Sequence, residues 1–330
     1  MPQFADGDHL SGLMREALGA GCRVLAVDRL RGGSKKGVYR IHLAGTRTAS
    51  VIVYNWAETE NFWPGEEDAD PADPFAPASG LAPFLAAQRS LAELGVRTPR
   101  IHLVDDSRRR YPADVAVVED VPGGTLEALF ETDYTRAAKA LGELAETLEV
   151  MHRHRSRHYG RVDLLNRSGS VPGGSCERRV LDRALRDLEE AAERHGHIAA
   201  ASPALRDRLR ELAGSVRARA EYGLIHGELG PDHVLIDADG HPVLIDIEGL
   251  MHFDVEWEHV FLRLRFGKHY TALARPALDQ RRLDFYLLAM RLSLVAGPLR
   301  LLDGNFPDRA FMHGIAEHNA KEALALLPPA

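Results

Sequence analysis

Cysteine is nearly absent: Cys22 and Cys176 are the only two in 330 residues. That excludes a disulfide framework and a cysteine-based zinc centre, and it makes a reducing cytoplasm the expected home. Long apolar runs are missing as well. Even the stretch from Leu283 to Val295 is broken by Asp284, Arg291 and Ser293, so it predicts a buried helix and no membrane span. Met1 to Gly21 carries acids in a polar, helix-like pattern and lacks the basic region and long apolar core of a signal segment. Positive charge is not in surplus either. A formal net charge of −7 argues against a nucleic-acid partner and suits a cationic small molecule.

With 45% hydrophobic and 27% charged residues, the chain has the composition of an ordinary globular protein long enough for two lobes with separate cores. The richest stretch is Leu224-Ile225-His226-Gly227-Glu228-Leu229-Gly230-Pro231-Asp232-His233-Val234-Leu235-Ile236-Asp237, followed by Val243-Leu244-Ile245-Asp246-Ile247-Glu248-Gly249. Between the two apolar runs lies Asp237-Ala238-Asp239-Gly240-His241. Asp-Gly between aliphatic runs is a strong hairpin signal. The hairpin places His226, Glu228 and His233 in the loop that leads in, and Asp246 and Glu248 at the end of the second strand. Carboxylates so placed suit one or two hard divalent ions, which phosphoryl transfer uses to neutralise developing charge. Two acids two residues apart, taken alone, are equally a polar hairpin end.

The constellation as a whole resembles the phosphate-transfer loop of the aminoglycoside phosphotransferase family. The family pattern is His-Gly-Asp, an Asn five residues after that Asp, and Ile-Asp-(Phe/Trp)-Glu after a hairpin. Here it reads His226-Gly227-Glu228, then His233, then Ile245-Asp246-Ile247-Glu248. The spacing is kept, and two residue types differ. The resemblance implies an α+β, two-lobed, protein-kinase-like fold, with a small antiparallel-sheet N-terminal lobe and a larger, mainly helical C-terminal lobe. It divides the chain into a nucleotide-binding lobe over 1–118, a hinge at 119–125 and a helical lobe over 126–330.

The same resemblance implies ATP and Mg2+ as cofactors and a small-molecule acceptor hydroxyl. Glu228 inherits the base and positioning role, with His226 beside it. Asp246 is the metal ligand, joined by His233 and Glu248. His233 stands where the family has an oxygen donor, and its nitrogen is softer than magnesium prefers. Asp232, Glu256 and Glu258 are candidates for the acceptor site, where acids suit an amine-bearing substrate. The run Asp254 to His259 equally reads as solvated surface. Relatives of this fold act on aminoglycosides, macrolides, other antibiotics, choline or fructosamines, and antibiotic resistance is one expected setting. The alternative is a catalytically inactive relative that binds a small molecule or a protein partner.

In the N-terminal lobe, aliphatic runs over Arg23 to Leu30, Val38 to Leu43 and Ala49 to Trp56 predict three strands in meander order. Arg31-Gly32-Gly33-Ser34-Lys35-Lys36-Gly37 joins the first two. Ser34, Lys35 and Lys36 are therefore candidates for the nucleotide phosphates, although the loop also reads as a solvated turn. A kinase-like lobe places a lysine on its third strand and a glutamate on the next helix. Val51 to Trp56 has no lysine, and Phe84 and Gln88 stand near the glutamate's place, so Lys35 or Lys36 must substitute if phosphates are to be bound that way. Between that strand and helix, Glu58 to Gly80 is a long insertion with an acidic run, Glu66-Glu67-Asp68-Ala69-Asp70, that reads as solvated surface.

Val115 to Val118, then Pro122-Gly123-Gly124-Thr125, predicts a strand, a hinge and a capped helix start. The resemblance gives the backbone of Glu119 and Val121 the adenine edge. Further on, Ala137, Leu141, Leu144, Leu148 and Met151 repeat at helical spacing, as do Leu205, Leu209, Leu212 and Val216, and Leu181, Leu185 and Leu188. All three read as core stripes. His152-Arg153-His154-Arg155-Ser156-Arg157-His158 reads as the basic end of the helix that starts near Tyr134.

Overall fold

The computed structural model describes residues 7–30, 33–63, 73–76, 78–168 and 174–328. Arg31 and Gly32 of the glycine loop, the acidic run Glu66 to Asp70, and 169–173 of the Gly/Ser/Pro loop lie outside the described residues. The chain divides into two compact units that interleave along it. The first comprises Met1–Phe62, Pro77–Glu143 and Asp232–Glu248; the second comprises Trp63–Ala76, Leu144–Pro231 and Gly249–Ala330.

In the first unit, α1 (Gly7–Leu18) precedes β1 (Arg23–Arg29), β2 (Gly37–Ala44) and β3 (Ser50–Asn55), the meander expected. Then come α2 (Leu81–Glu93), β4 (Ile101–Asp105), β5 (Val115–Glu119) and α3 (Leu126–Thr132). The five strands form one antiparallel sheet in the order β1-β2-β3-β5-β4. Strand side chains alternate between faces, and the burial of β2 follows that period: Tyr39, Ile41 and Leu43 are buried while Val38, Arg40 and His42 are half-exposed. The buried set meets Val51, Val53, Val115 and Val117, and Leu10, Leu13 and Met14 of α1 close that core. Full burial of one such aliphatic side chain contributes about 1.5–3 kcal/mol. At the edge, β1 leaves Leu25 and Val27 exposed.

Helix α4 (Tyr134–Arg153) buries Ala137, Leu141, Leu144, Leu148 and Met151, the stripe read from the sequence. The second unit adds β6 (Arg155–Ser156), β7 (Gly160–Arg161), α5 (Val162–Ser168), α6 (Cys176–Arg194), α7 (Gly196–Ser215) and β8 (Tyr222–Ile225). Strands β9 (Val234–Ile236) and β10 (Pro242–Leu244) pair as an antiparallel hairpin that groups with the first unit. After it come β11 (Met251–Phe253), α8 (Val255–Phe266), α9 (Gln280–Leu301) and α10 (Arg309–Ala325). In the second unit, β6, β8, β11 and β7 form a small antiparallel sheet in that order.

The core of the second unit gathers Val180, Ala184, Leu188 and Ala191 of α6, Leu205 and Leu209 of α7, and much of α9. On α6 the buried stripe is thus one residue out of step with the expected one: Leu188 is in the core, whereas Leu181 and Leu185 pack beside it partly exposed. Helix α9 is apolar round most of its circumference, which marks a buried helix. No helix among the described residues is long and apolar enough to cross a membrane.

The Pro122-Gly123-Gly124 turn is joined to the hairpin by backbone. Gly123 N–H donates to the Ile236 carbonyl and Ile236 N–H to that of Gly124, each at 2.9 Å. Thr125 then caps α3, its hydroxyl accepting from Ala128 N–H at 3.2 Å. A Cβ on Gly123 would stand 2.2 Å from the Ile236 carbonyl oxygen, a contact that neither backbone can relieve without losing the bridge. We expect Gly123→Ala to lower the unfolding free energy by about 1–3 kcal/mol, the usual cost of an overpacked site. Urea titration checks this, and an unchanged midpoint would show that the bridge gives way freely.

Candidate active site

Register explains the most unusual side chain of the first unit. Strand β2 pairs with β3 so that Val38 faces Tyr54 and Gly37 faces Asn55. By alternation Lys36 shares its face with Val38 and therefore with Tyr54. The Lys36 ammonium lies 4.8 Å from the Tyr54 ring centre, a cation–π distance. It also reaches 3.0 Å from Asp246 Oδ1 and hydrogen-bonds Glu248 Oε1. Lys36 is 6% exposed. Burial alone would lower its pKa, but Glu248 and then Asp246 outweigh it, so the ammonium is held charged. The Tyr54 hydroxyl beside it is pushed up to about 12, chiefly by burial.

Of the two lysines the sequence offered, the structure brings Lys36 to the carboxylates. No third-strand lysine is present, as read, and aromatic rings occupy that wall. Tyr54 meets Phe84 of α2 edge-on at 5.6 Å, and Trp56 lies 5.6 Å from Phe84. A T-shaped pair of this kind contributes about 0.5–1.5 kcal/mol beyond its area. It thus links β3 to α2 where kinase-like lobes use an ion pair.

The glycine loop is strapped by backbone. Phe62 N–H donates to the Ser34 carbonyl at 2.8 Å, and the Ser79 hydroxyl to that of Lys35 at 3.0 Å. Gly33 has a φ of +76°, and a Cβ there would stand 2.6 Å from the Lys36 carbonyl oxygen. Beneath lies buried Glu60, hydrogen-bonded by Arg29 at 2.6 Å and by the Tyr39 hydroxyl. Nothing in the residues around Glu58-Thr59-Glu60 signals that cluster.

Asp246 follows β10 with a φ of +59°, one of two non-glycine residues with positive φ among those described. Such a conformation costs of order 1–3 kcal/mol and persists where its surroundings fix it. Here Leu244 N–H donates to the Arg97 carbonyl at 2.9 Å and Ile245 N–H to that of His233 at 3.0 Å. His233 Nε2 lies 3.8 Å from both Asp246 Oδ2 and Asp232 Oδ2. Of the residues the hairpin was expected to gather, His233 and Asp246 stand 3.8 Å apart.

Among the described residues no three His, Cys, Asp or Glu side chains form a ready metal cage. Magnesium is commonly held by one or two carboxylates with substrate phosphates completing its shell, and the half-exposed Asp246 side chain, with Oδ2 beside His233, fits that habit. Glu248 fits it less well. Its side chain is buried with Oε1 on Lys36, and the sequence-based assignment of Glu248 as a metal ligand is corrected to a partner of that lysine.

At the hinge, the Glu119 carboxylate takes Arg97 at 2.7 and 2.9 Å and the Arg100 N–H at 3.1 Å. Burial would raise its pKa, but the Arg97 hydrogen bond leads the opposing contacts and the net shift is downward. Its side chain shapes the turn, and the backbone of Glu119 and of buried Val121 remains the candidate for a nucleobase.

In the second unit, His226 is buried and Glu228 is exposed. Glu258 lies beneath them, fully buried, its Oε1 accepting from His226 N–H at 2.8 Å and Gly227 N–H at 3.2 Å. His152 Nε2 meets its other oxygen at 2.6 Å. Burial would raise the Glu258 pKa, yet the His152 hydrogen bond heads the contacts that bring it below the usual value. Glu256 is bound at both oxygens by Arg219, each at 2.6 Å, and caps the Asp279 N–H at 3.0 Å. Asp254 is held by Arg282 and Tyr286. The expectation that Glu258 faces an acceptor is therefore corrected, whereas Glu256, tied to Arg219, lines a cavity together with it. Both carboxylates are committed to internal partners, and the alternation of acids with apolar residues from Phe253 to His259 hid that from the sequence. Nor does the basic run all belong to a helix end: α4 stops at Arg153, and Arg155 and Arg157 line a cavity of about 730 Å³ with Arg219 and Glu221.

Removing one partner of a buried ion pair costs about 3–5 kcal/mol, whereas an exposed side chain is usually worth within 0.5 kcal/mol either way. We expect Glu258→Ala to destabilise by about the former amount and Glu228→Ala by about the latter. Equal midpoints for the two variants in urea would contradict the anchoring role of Glu258.

The sequence matches the model of the phosphotransferase enzyme family, APH, over residues 31–293. A sequence search of curated proteins finds no match. Among solved structures, aminoglycoside phosphotransferase APH(4)-Ia is similar at 16% identity with a TM-score of 0.61, covering 96% of this chain and 99% of that one. Choline kinase LicA from Streptococcus pneumoniae is similar at 15% identity and 0.60, with 96% and 98% covered. The GDP and kanamycin complex of APH(2")-IIia gives 19% and 0.58, with 95% and 99% covered. Identities this low speak for the fold alone, which is kinase-like, with an antiparallel-sheet N-terminal region and a helical C-terminal region. The family model spans most of the chain, and the chain belongs to the phosphotransferase enzyme family.

Proposed function

We propose that this chain is an ATP-dependent phosphotransferase that moves the γ-phosphoryl group to a hydroxyl of a small molecule. The observation that carries the reading is the Lys36 ammonium held against Asp246 and Glu248. A buried cation and a strained carboxylate at the end of a hairpin are what a triphosphate and its metal ion require. Structures of similar fold carry AMP-PNP, ADP, AMP or GDP, which supports a nucleotide here.

In this reading Lys36 supplies positive charge to the phosphates, the strapped Ser34-Lys35 backbone borders them, and the hinge backbone at Glu119 and Val121 takes the base. Asp246, with His233 beside it, would hold Mg2+, which would supply neutralisation of the phosphate charge. Glu228 orients the acceptor hydroxyl and receives its proton as the acceptor oxygen bonds to phosphorus and the bond to the ADP oxygen breaks. His226, buried behind it, helps fix the loop that Glu258 anchors. Glutamate extends one methylene beyond aspartate, and a displacement of about 1 Å can cost about a hundredfold in rate, so Glu228 sets a slow or a shifted geometry. The acceptor class is a hydroxyl compound bearing an amine, in keeping with the −7 charge and with Asp232 near His233; hygromycin B and kanamycin appear with similar folds. A cytoplasmic setting fits the two free, buried cysteines.

A second reading, binding without transfer, draws on Glu228 in place of aspartate and on the Tyr54–Phe84 contact in place of an ion pair. Turnover separates the two. We expect ATP with Mg2+ to raise the thermal midpoint by mass action, and Asp246→Ala to abolish the metal-dependent part of that rise. Absence of any shift at millimolar nucleotide would overturn the nucleotide assignment. A shift without phosphoryl transfer to any hydroxyl acceptor would favour the second reading.

A further inference from the structure

Kinase-like sites gather two divalent ions round the phosphates; in this chain the carboxylates at the hairpin end already hold a cation. Lys36 touches both at once, Asp246 through Oδ1 at 3.0 Å and Glu248 through Oε1. We propose that Lys36 is a built-in replacement for one of those ions, so that the site takes a single divalent cation, at Asp246 Oδ2. The inference rests on the phosphotransferase reading above and decides how that site neutralises a triphosphate.

Three observations carry it. First, the lysine is fixed from several sides: β2 starts at the next residue, Tyr54 lies under the ammonium at 4.8 Å, and Gly37 is packed so tightly that a Cβ there would stand 2.6 Å from the Tyr39 ring. Secondly, Glu248 is 5% exposed, and its Oε2 has no hydrogen-bond partner among the described residues. Withdrawing the ammonium would strand a charge in the interior, which buried carboxylates do not tolerate unpaired. A second divalent ion bridging Asp246 and Glu248 would instead have to stand beside a buried ammonium, with like charges in contact in a medium that screens them poorly. Thirdly, His233 occupies the place of an oxygen donor, and its nitrogen suits magnesium poorly. Asp246 Oδ2, on the side of the carboxylate that faces His233, is enough for one ion whose other ligands are phosphate oxygens and water.

Mn2+ counts the sites directly, because the free ion gives an electron paramagnetic resonance signal that the bound ion loses. The measurement is Mn2+ bound per chain with a non-hydrolysable ATP analogue held above each variant's Kd. We expect one ion per chain for the unaltered protein and for Lys36→Arg, which keeps the cation. Lys36→Met frees both carboxylates and should raise the count to two. Two ions in the unaltered protein would overturn the inference even if Lys36→Met failed to fold, and so would a single ion in Lys36→Met that still binds the analogue. A count of zero with the analogue present would sink the phosphotransferase reading and this inference with it, an outcome distinct from a count of two.

Discussion

The ion cluster of Lys36, Asp246 and Glu248 joins segments 210 and 212 residues apart in sequence, and much of the first unit is arranged to make it possible. The glycine turn at Gly33 and the β2–β3 register aim Lys36 at Tyr54. The hinge and hairpin, hydrogen-bonded at Gly123 and Ile236, hold the strand from which Asp246 and Glu248 follow. Two buried charges are costly to desolvate, and a cluster of this kind is specific before it is stabilising. Its value lies in fixing where positive and negative charge stand before any ligand arrives, which is what electrostatic preorganisation requires.

The aromatic contact between β3 and α2 follows from the same arrangement. Where a lysine on β3 needs a glutamate on the following helix, a lysine at the start of β2 finds its carboxylates on the hairpin instead. The positions left behind then face an apolar interior, and Tyr54, Trp56 and Phe84 fill it. The second unit shows a parallel economy. Glu258 binds the backbone on which His226 and Gly227 stand, and Glu256 and Asp254 hold α8 and α9 through Arg219 and Arg282. Acids that look like substrate ligands in sequence are thus the internal ties of the loop that presents Glu228.

The parts of the fold that were legible in sequence are those set by local rules. The strand run of β2, the Asp-Gly turn of the hairpin, the Thr125 cap and the stripe on α4 each follow from residues within one element, and the structure contains all four. The strand β4 and the small sheet of the second unit depend on pairings distant in sequence and were not anticipated, nor was the last helix, whereas the helix-like pattern before Gly21 foretold the first. The candidate site divides in the same way. Asp246 and His233 come together because a hairpin carries them, whereas the burial of Glu248, Glu256 and Glu258 depends on cations elsewhere in the chain: Lys36, Arg219 and His152. Nothing in a carboxylate's sequence neighbourhood says which distant cation it will meet, and that is why the partners of these acids were not legible. The choice between Lys35 and Lys36 was likewise open until the register of β2 against β3 assigned one of them to the face of Tyr54.

If Lys36, just before β2, does what a third-strand lysine does elsewhere, its function should be transferable to that strand. The most direct measurement is the ATP affinity, by calorimetry with Mg2+, of the unaltered protein, of Lys36→Met, and of Lys36→Met combined with Tyr54→Lys. We expect the single variant to lose about tenfold or more, roughly 1.4 kcal/mol, and the double variant to regain a substantial part of it. An unaltered ATP affinity in Lys36→Met would contradict the role assigned to the lysine on which this description of the site is built.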